Sequence, residues 1–248
     1  MISVQSLTKK FGLRTAVDQV SFDVEKGTVL GFLGPNGAGK STTMRMITGF
    51  LEPTSGTVTV DGLDIRTHSL EARKIIGYLP ESAPSYANMT VKEFLSFCAG
   101  VRGVPKKGKA VKAALDMCFL GDVRNQTIDT LSKGYRQRTC MAQAILHDPA
   151  VLIMDEPTDG LDPNQKKVVR DMILEMAKEK AIILSTHVLE EVDAVCTRAV
   201  IISGGKLVAD STPSELKARS TTGRLDDVFR ELTTTEDTNL RSPNEVHA

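Results

Sequence analysis

The sequence predicts an α/β fold: a mainly parallel sheet, an antiparallel β portion beside it, and an inserted helical segment. Three observations carry that expectation. Short β-branched runs alternate with stretches of helical spacing, the order expected of βαβ units. The middle, from roughly Thr90 to Ala144, has few strand signals. Ahead of it, strand-like runs are joined by turns such as Lys26-Gly27 and Asp61-Gly62, which suits antiparallel pairing.

Element by element, Ile2–Gln5, Val20–Val24 and Thr57–Val60 supply the antiparallel strands. The apolar run Val29–Leu33 reads as a buried strand, followed by a glycine-rich turn and a helix over Thr42–Phe50. A strand over Ile75–Leu79 leads into the helical stretches Val91–Ala99, Ala110–Phe119 and Tyr135–Leu146. From Val151 the alternation resumes: strand Val151–Met154, helix Asn164–Met176, strand Ala181–Ser185, helix Val188–Val195 and strand Ala199–Ile202. The polar end, residues 233–248, lacks periodicity and reads as a disordered tail.

The 248 residues suffice for one large domain, or for one domain with an inserted subdomain. Hydrophobic residues make up 41% and charged residues 25%, the balance of an ordinary globular chain, and the formal net charge is zero. Nothing in that balance argues for a nucleic-acid partner. The basic stretch Arg102–Lys109 contains proline and glycine but no interleaved aromatics, so it reads as a solvated loop. Cys98, Cys118, Cys140 and Cys196 form no CxxC pair, which points to reduced thiols rather than a zinc or redox motif. No stretch approaches the roughly 18 apolar residues of a membrane span. Any membrane role is therefore expected to come from another polypeptide.

Gly34-Pro35-Asn36-Gly37-Ala38-Gly39-Lys40-Ser41 matches G-x-x-x-x-G-K-[ST] between a strand and a helix. In that pattern glycines let backbone N–H groups ring a phosphate, and the helix adds its positive end. Lys40 reaches the β- and γ-phosphates, and the Ser41 hydroxyl coordinates Mg²⁺. Asp155 and Glu156 end the apolar run Val151–Met154, at the mouth of a parallel sheet where ligands bind. There Asp155 can reach magnesium and Glu156 can polarise a water in line with the γ-phosphate. Two acids after an apolar run can also simply cap the next turn. The phosphate loop favours the catalytic reading, because such a site needs a carboxylate strand downstream.

Three further motifs narrow the class: Leu131–Arg138 (LSKGYRQR), Asp159-Gly160-Leu161-Asp162, and Ser185-Thr186-His187. In this order, with GFLGPNGAGKST, IGYLPE and DEPTDGLDP, the set resembles the ATP-binding subunit of ABC transporters over about residues 1–212. The wording is most similar to the group energising bacterial multidrug, antibiotic and gliding-type exporters.

The resemblance implies a phosphate-loop ATPase core with ATP and Mg²⁺ as cofactors. It places Phe11 against the adenine with Val17 beside it, and Asn36, Gly37, Ala38, Gly39, Lys40, Ser41 and Thr42 around the phosphates. Glu81 stands where the family offers a glutamine to the metal and the attacking water, so the implied metal ligands are Ser41, Asp155 and Glu81. Lys40, Glu156 and His187 form the catalytic set, with His187 contacting the γ-phosphate and holding Glu156. Ser132 and Gly134 belong to the signature that closes over the nucleotide of another copy, and Asp162 to a loop that senses it. Lys133 and Tyr135 replace the commoner glycine and glutamine of that signature. Taken singly, Ser132 also reads as a helix cap, His187 as a structural histidine and Phe11 as core.

The implied organisation is an ATP-binding domain over 1–212 with a helical subdomain at about 82–144, a short extension over 213–232, and the tail. Implied partners are a second copy, or a paralogous ATPase subunit, in a head-to-tail dimer, together with a separate transmembrane permease. No nucleic acid is expected. The expected location is cytoplasmic, attached to the inner membrane face through the permease. Two alternatives stand beside this reading: a soluble ABC-type ATPase acting on nucleic acid or ribosomes, and a phosphate-loop kinase or GTPase. Neither a long coiled-coil insertion nor an Asn-Lys-x-Asp motif is present to favour them.

Overall fold

The computed structural model describes residues 1–82, 85–220 and 222–237. In chain order the first half contains β1 (Ile2–Phe11), β2 (Arg14–Val24), β3 (Val29–Leu33), α1 (Lys40–Ile47), β4 (Ser55–Val60), β5 (Leu63–Asp64), α2 (Ser69–Lys74) and β6 (Ile76–Leu79). Three helices follow, α3 (Val91–Val101), α4 (Lys107–Met117) and α5 (Lys133–Ile145). The remainder is β7 (Val151–Asp155), α6 (Pro163–Ala177), β8 (Ala181–Thr186), α7 (Leu189–Val195), β9 (Arg198–Ser203), β10 (Lys206–Ser211), α8 (Pro213–Ala218) and α9 (Leu225–Asp237).

Two sheets result. An antiparallel sheet has the order β2-β1-β4-β5, and a larger one the order β10-β9-β3-β8-β7-β6. In the larger sheet β9, β3, β8, β7 and β6 are parallel, while β10 turns back antiparallel on β9. The fold is thus α/β with a mixed sheet beside an antiparallel one.

The central strands show why continuous apolar runs are needed here. Val151, Ile153, Ala181 and Ile183 face the antiparallel sheet and α1, packing in one cluster with Ile2, Val4, Val58, Met44 and Ile47. Their neighbours Leu152, Met154, Ile182 and Leu184 face the other way, toward Met141, Val169, Met172 and Ile173 of α5 and α6. A strand covered on both faces has no polar face to alternate with. Each Val, Leu, Ile or Met among them, once buried, contributes about 1.5–3 kcal/mol.

The helices between β6 and β7 share the second of these clusters, through Phe94, Leu95, Val111, Leu115 and Cys140. α3 starts at a capping box: Thr90 accepts from Glu93 N–H, and the Glu93 carboxylate accepts from Thr90 N–H. Arg138 is buried beneath these helices, donating to the Phe119 carbonyl at 3.1 Å and lying 4.4 Å from the Tyr135 ring. A third cluster forms where Leu216, Leu225 and Val228 of α8 and α9 pack on Leu33, Ala199 and Ile201.

Several elements differ from expectation. β1 and β2 are longer than their apolar runs because a tight turn at Gly12-Leu13 lets their polar ends pair, Phe11 opposite Arg14. α2, β5 and β10 carry no strong sequence period; only Ala72 of α2 is buried. α1 stops at Ile47, and Gly49, at φ 71°, turns the chain out before Phe50. α8 begins at Pro213, with Thr212 and Glu215 forming another capping box. α9 continues to Asp237, so residues 233–237 are helical rather than part of a disordered tail; the Thr233 hydroxyl bonds back to the Phe229 carbonyl at 2.7 Å. The rest of the expected tail, 238–248, lies outside the described residues.

One half-buried histidine joins the helical region to the sheet. His147 Nε2 lies 3.0 Å from the Ile76 carbonyl at the start of β6 and 3.1 Å from the Arg102 guanidinium at the end of α3. Its buried Nδ1 has no partner among the described residues. Burial first, and then the Arg102 charge, push its pKa down to about 4. A histidine that resists protonation when folded binds fewer protons than in the unfolded chain, so stability rises with pH through that window. Stability should therefore fall as pH drops from about 6.5 towards 4, by about 1–2 kcal/mol once solvent screening of a partly exposed ring is allowed for. Urea denaturation at pH 7 and pH 5 measures this, and His147→Gln should remove that part of the loss.

Candidate functional site

Leu33 of β3 pairs with Thr186 of β8, and Asp155 of β7 pairs with Ser185 of β8. The three strands therefore end at one level. Gly34, His187 and Glu156, far apart in sequence, emerge together at the carboxyl edge of the parallel sheet. That edge is where open α/β sheets bind ligands.

Between β3 and α1 the chain makes the glycine-rich loop. Gly39 sits at φ 111°, and a Cβ there would lie 2.6 Å from the Ala16 carbonyl. Only glycine fits both demands. Gly39 is also the N-cap of α1 and has no side chain to cap it. The first-turn N–H groups of α1 thus stay available to an anion, as the helix dipole favours.

Lys40 is almost fully buried, its ammonium donating to the Gly34 carbonyl at 2.7 Å and lying 3.7 Å from Glu156 Oε1. The other oxygen of Glu156 lies 3.0 Å from His187 Nδ1. Glu156 is itself buried and adopts φ 50°, unusual for a residue with a side chain and a form of strain common at functional sites. Its N–H is held by both the carbonyl and the hydroxyl of Ser185, at 3.2 Å each. The Ser185 hydroxyl in turn donates to Asp155 Oδ1. Tyr78 of β6 stands nearby; burial first, then the charges of Asp155 and Glu81, hold its phenol above the ordinary range, so it stays protonated, and Arg45 hydrogen-bonds to it.

Lys40, Glu156 and His187 line a cleft of about 740 Å³. Its wall includes Phe11, Asn36, Gly37, Gly39, Lys40, Ser41, Thr42, Glu81, Glu156 and His187. The volume and the mixture of one exposed aromatic ring with a ring of N–H donors suit a nucleotide. The oxygen donors Ser41, Asp155 and Glu81 suit Mg²⁺, which takes one or two carboxylates together with substrate phosphates. Among the described residues no group of three or more His, Cys, Asp or Glu could hold a metal unaided. Such an ion therefore fits as a companion of a phosphate ligand.

Five expected ligands are not in the cleft wall; one is Asp155, buried against the Ser185 hydroxyl. Val17 is fully buried behind the loop, because side chains alternate along β2 and it is Arg14 and Ala16 that face the cleft. Ala38 is buried too, its N–H turned to the Pro35 carbonyl at 3.2 Å. Ser132 and Gly134 lie elsewhere, at the start of α5. There the Ser132 hydroxyl accepts from Tyr135 N–H at 3.4 Å, and Gly134 packs against Gln165 of α6. Lys133 pairs with Asp159 at 3.0 Å, which ties this segment to the cleft wall. Asp162 caps α6, accepting from Gln165 N–H at 3.0 Å.

Sequence reasoning missed Arg14, Ala16, Asp159 and Ser185. For Arg14 a signal existed, since a two-residue turn at Gly12-Leu13 sets it opposite Phe11. For Ser185 there was none, because only strand register brings it to the acids.

Against known proteins, the family model described as ABC transporter matches residues 17–159. The Escherichia coli probable multidrug ABC transporter ATP-binding protein YbhF is 39% identical over 223 residues, 89% of this chain but only 38% of YbhF. The chain thus spans well under half of that relative. An uncharacterised ABC transporter ATP-binding protein of Bacillus subtilis, YxlF, is 39% identical over 224 residues, 90% of this chain and 74% of YxlF. A solved ATP-binding subunit of an ABC transporter superposes with a TM-score of 0.84 at 28% identity, covering 94% of this chain and 99% of that one.

Gly39→Ala should cost about 1–3 kcal/mol of stability through backbone strain and distort the loop. The expected result is at least a roughly tenfold weaker binding of a fluorescent ATP analogue. Equal affinity would show that the loop tolerates a Cβ.

Proposed function

The chain belongs to the ABC transporter family, and from that premise we propose that it is the ATP-binding, ATP-hydrolysing subunit that powers a separate transmembrane permease, working as an exporter. One observation carries the reading: the Glu156 carboxylate is held between the Lys40 ammonium and the His187 ring at the mouth of the phosphate cleft.

The chain's own groups then act as follows. A triphosphate enters over Phe11, and loop N–H groups with the first turn of α1 receive its β- and γ-oxygens. Lys40 exchanges the Gly34 carbonyl for phosphate oxygen. Glu156, freed on that side and steered by His187, accepts a proton from the attacking water. Ser41, Asp155 and Glu81 would hold Mg²⁺, which when bound neutralises charge on the phosphates. Glu81 brings a negative carboxylate to a position where the family has glutamine.

Ser132 and Gly134 stand apart from the cleft of their own chain, at the N-terminus of the 13-residue α5. That supports a head-to-tail dimer, of two copies or with a paralogous ATPase subunit, in which this helix end meets the partner's phosphates. Among the described residues no helix is long and apolar enough to cross a membrane. The ATP-binding-protein names of relatives such as YbhF support a separate membrane subunit, with this one at the cytoplasmic face. A groove of about 440 Å³ lined by Tyr86, Phe94, Phe97 and Val101 offers an apolar seat for a permease segment. The name of a 36% identical relative, the Nod factor export ATP-binding protein I of Ralstonia nicotianae, supports export.

Glu156→Gln should bind ATP as well as wild type, lose turnover about 100-fold or more, and migrate as a dimer with Mg-ATP in size-exclusion chromatography. Turnover near wild type would remove Glu156 from the role of base. Phe97→Asp should leave nucleotide affinity unchanged but abolish co-purification of an integral membrane protein. Stimulation of the ATPase by nucleic acid or ribosomes, with no membrane partner, would refute the transporter reading.

A further inference from the structure

Ser185 is fully buried on β8, directly across from Asp155. Its single hydroxyl does two things at once. It donates to Asp155 Oδ1, and it accepts from Glu156 N–H at 3.2 Å. The Ser185 carbonyl, also 3.2 Å from that N–H, holds the backbone on the same side. The ladder ends here, so no further strand pairing constrains Glu156, whose φ of 50° leaves the strand conformation. An aspartate in the last pair of the ladder can still turn about its side-chain torsions, and a strained glutamate just past it can relax, unless something holds both.

We propose that Ser185 is a positioning residue that fixes the metal-ligating carboxylate of Asp155 and the backbone of the base Glu156 through one hydroxyl. The inference rests on the ATPase reading above. With Oδ1 committed to the serine, the carboxylate is fixed in one orientation and its other oxygen is left for a cation. Partners of this kind, which orient a ligand without touching the metal, typically change metal affinity 10–100-fold when removed. Because the same hydroxyl accepts from Glu156 N–H, its loss weakens the placement of the base in the same step. Metal affinity and turnover are thus tied to a residue that contacts neither nucleotide nor ion.

The test compares Ser185→Ala, Ser185→Cys and Ser185→Thr. Cysteine keeps the volume but is a weak donor, and threonine keeps the hydroxyl. Manganese, which favours the same oxygen ligands, reports metal affinity by electron paramagnetic resonance in the presence of a non-hydrolysable ATP analogue. Ser185→Ala and Ser185→Cys should each weaken Mn²⁺ binding at least about tenfold and lower kcat comparably. Metal-free nucleotide affinity should stay within about twofold, and Ser185→Thr should recover most of the Mn²⁺ affinity. Mn²⁺ affinity unchanged in Ser185→Ala would overturn the proposal. So would an equal loss in all three variants, which marks a packing effect. Absence of ATP turnover in the wild type would defeat the ATPase reading instead, and the Mn²⁺ comparison would still decide the role of Ser185.

Discussion

The site depends on the register of three parallel strands. β3, β8 and β7 are fixed side by side so that Leu33 meets Thr186 and Ser185 meets Asp155. A slip of one residue along any of them would turn its side chains to the opposite face and break the shared edge. The apolar packing on both sides of the sheet resists such a slip. It places Val151 and Ile153 against one cluster and Leu152 and Met154 against another, so a slipped strand would misplace every side chain. Precision at the charged rim is thus inherited from an apolar interior that contains none of the chemistry.

Around that rim the charges are arranged for exchange. Lys40 is satisfied by a backbone carbonyl and by Glu156. Buried and unpaired, an ammonium would carry a large desolvation penalty. The two contacts fix the ammonium at the start of α1, beside the glycine-rich loop.

Much of this was legible in the sequence, for identifiable reasons. Continuous apolar runs made β3, β7 and β8 readable to within a residue of their ends, since only strands buried on both faces look like that. The phosphate loop was legible because its glycines answer to backbone geometry, which leaves a local trace. What stayed hidden depended on which way a side chain points or on contacts between distant segments. Val17 and Ala38 fell on the wrong side of their local backbone, although their neighbours line the cleft. Ser185 sat in plain view in the Ser-Thr-His run, yet its bond to Asp155 exists only because two strands 30 residues apart share a register. The short, mostly exposed α2 left almost no pattern to read.

The pairing of Lys133 with Asp159 has a consequence of its own. Lys133 occupies the helix-start segment that lies apart from the cleft, and Asp159 lines the cleft itself. Both side chains are about half exposed, so the bridge is weak and exchanges readily with solvent. A weak latch has a mechanical use that a strong one lacks. It biases the two segments to move as one, yet yields when either is engaged elsewhere. Occupancy of the cleft can then be felt at a surface outside it through a contact that costs little to break.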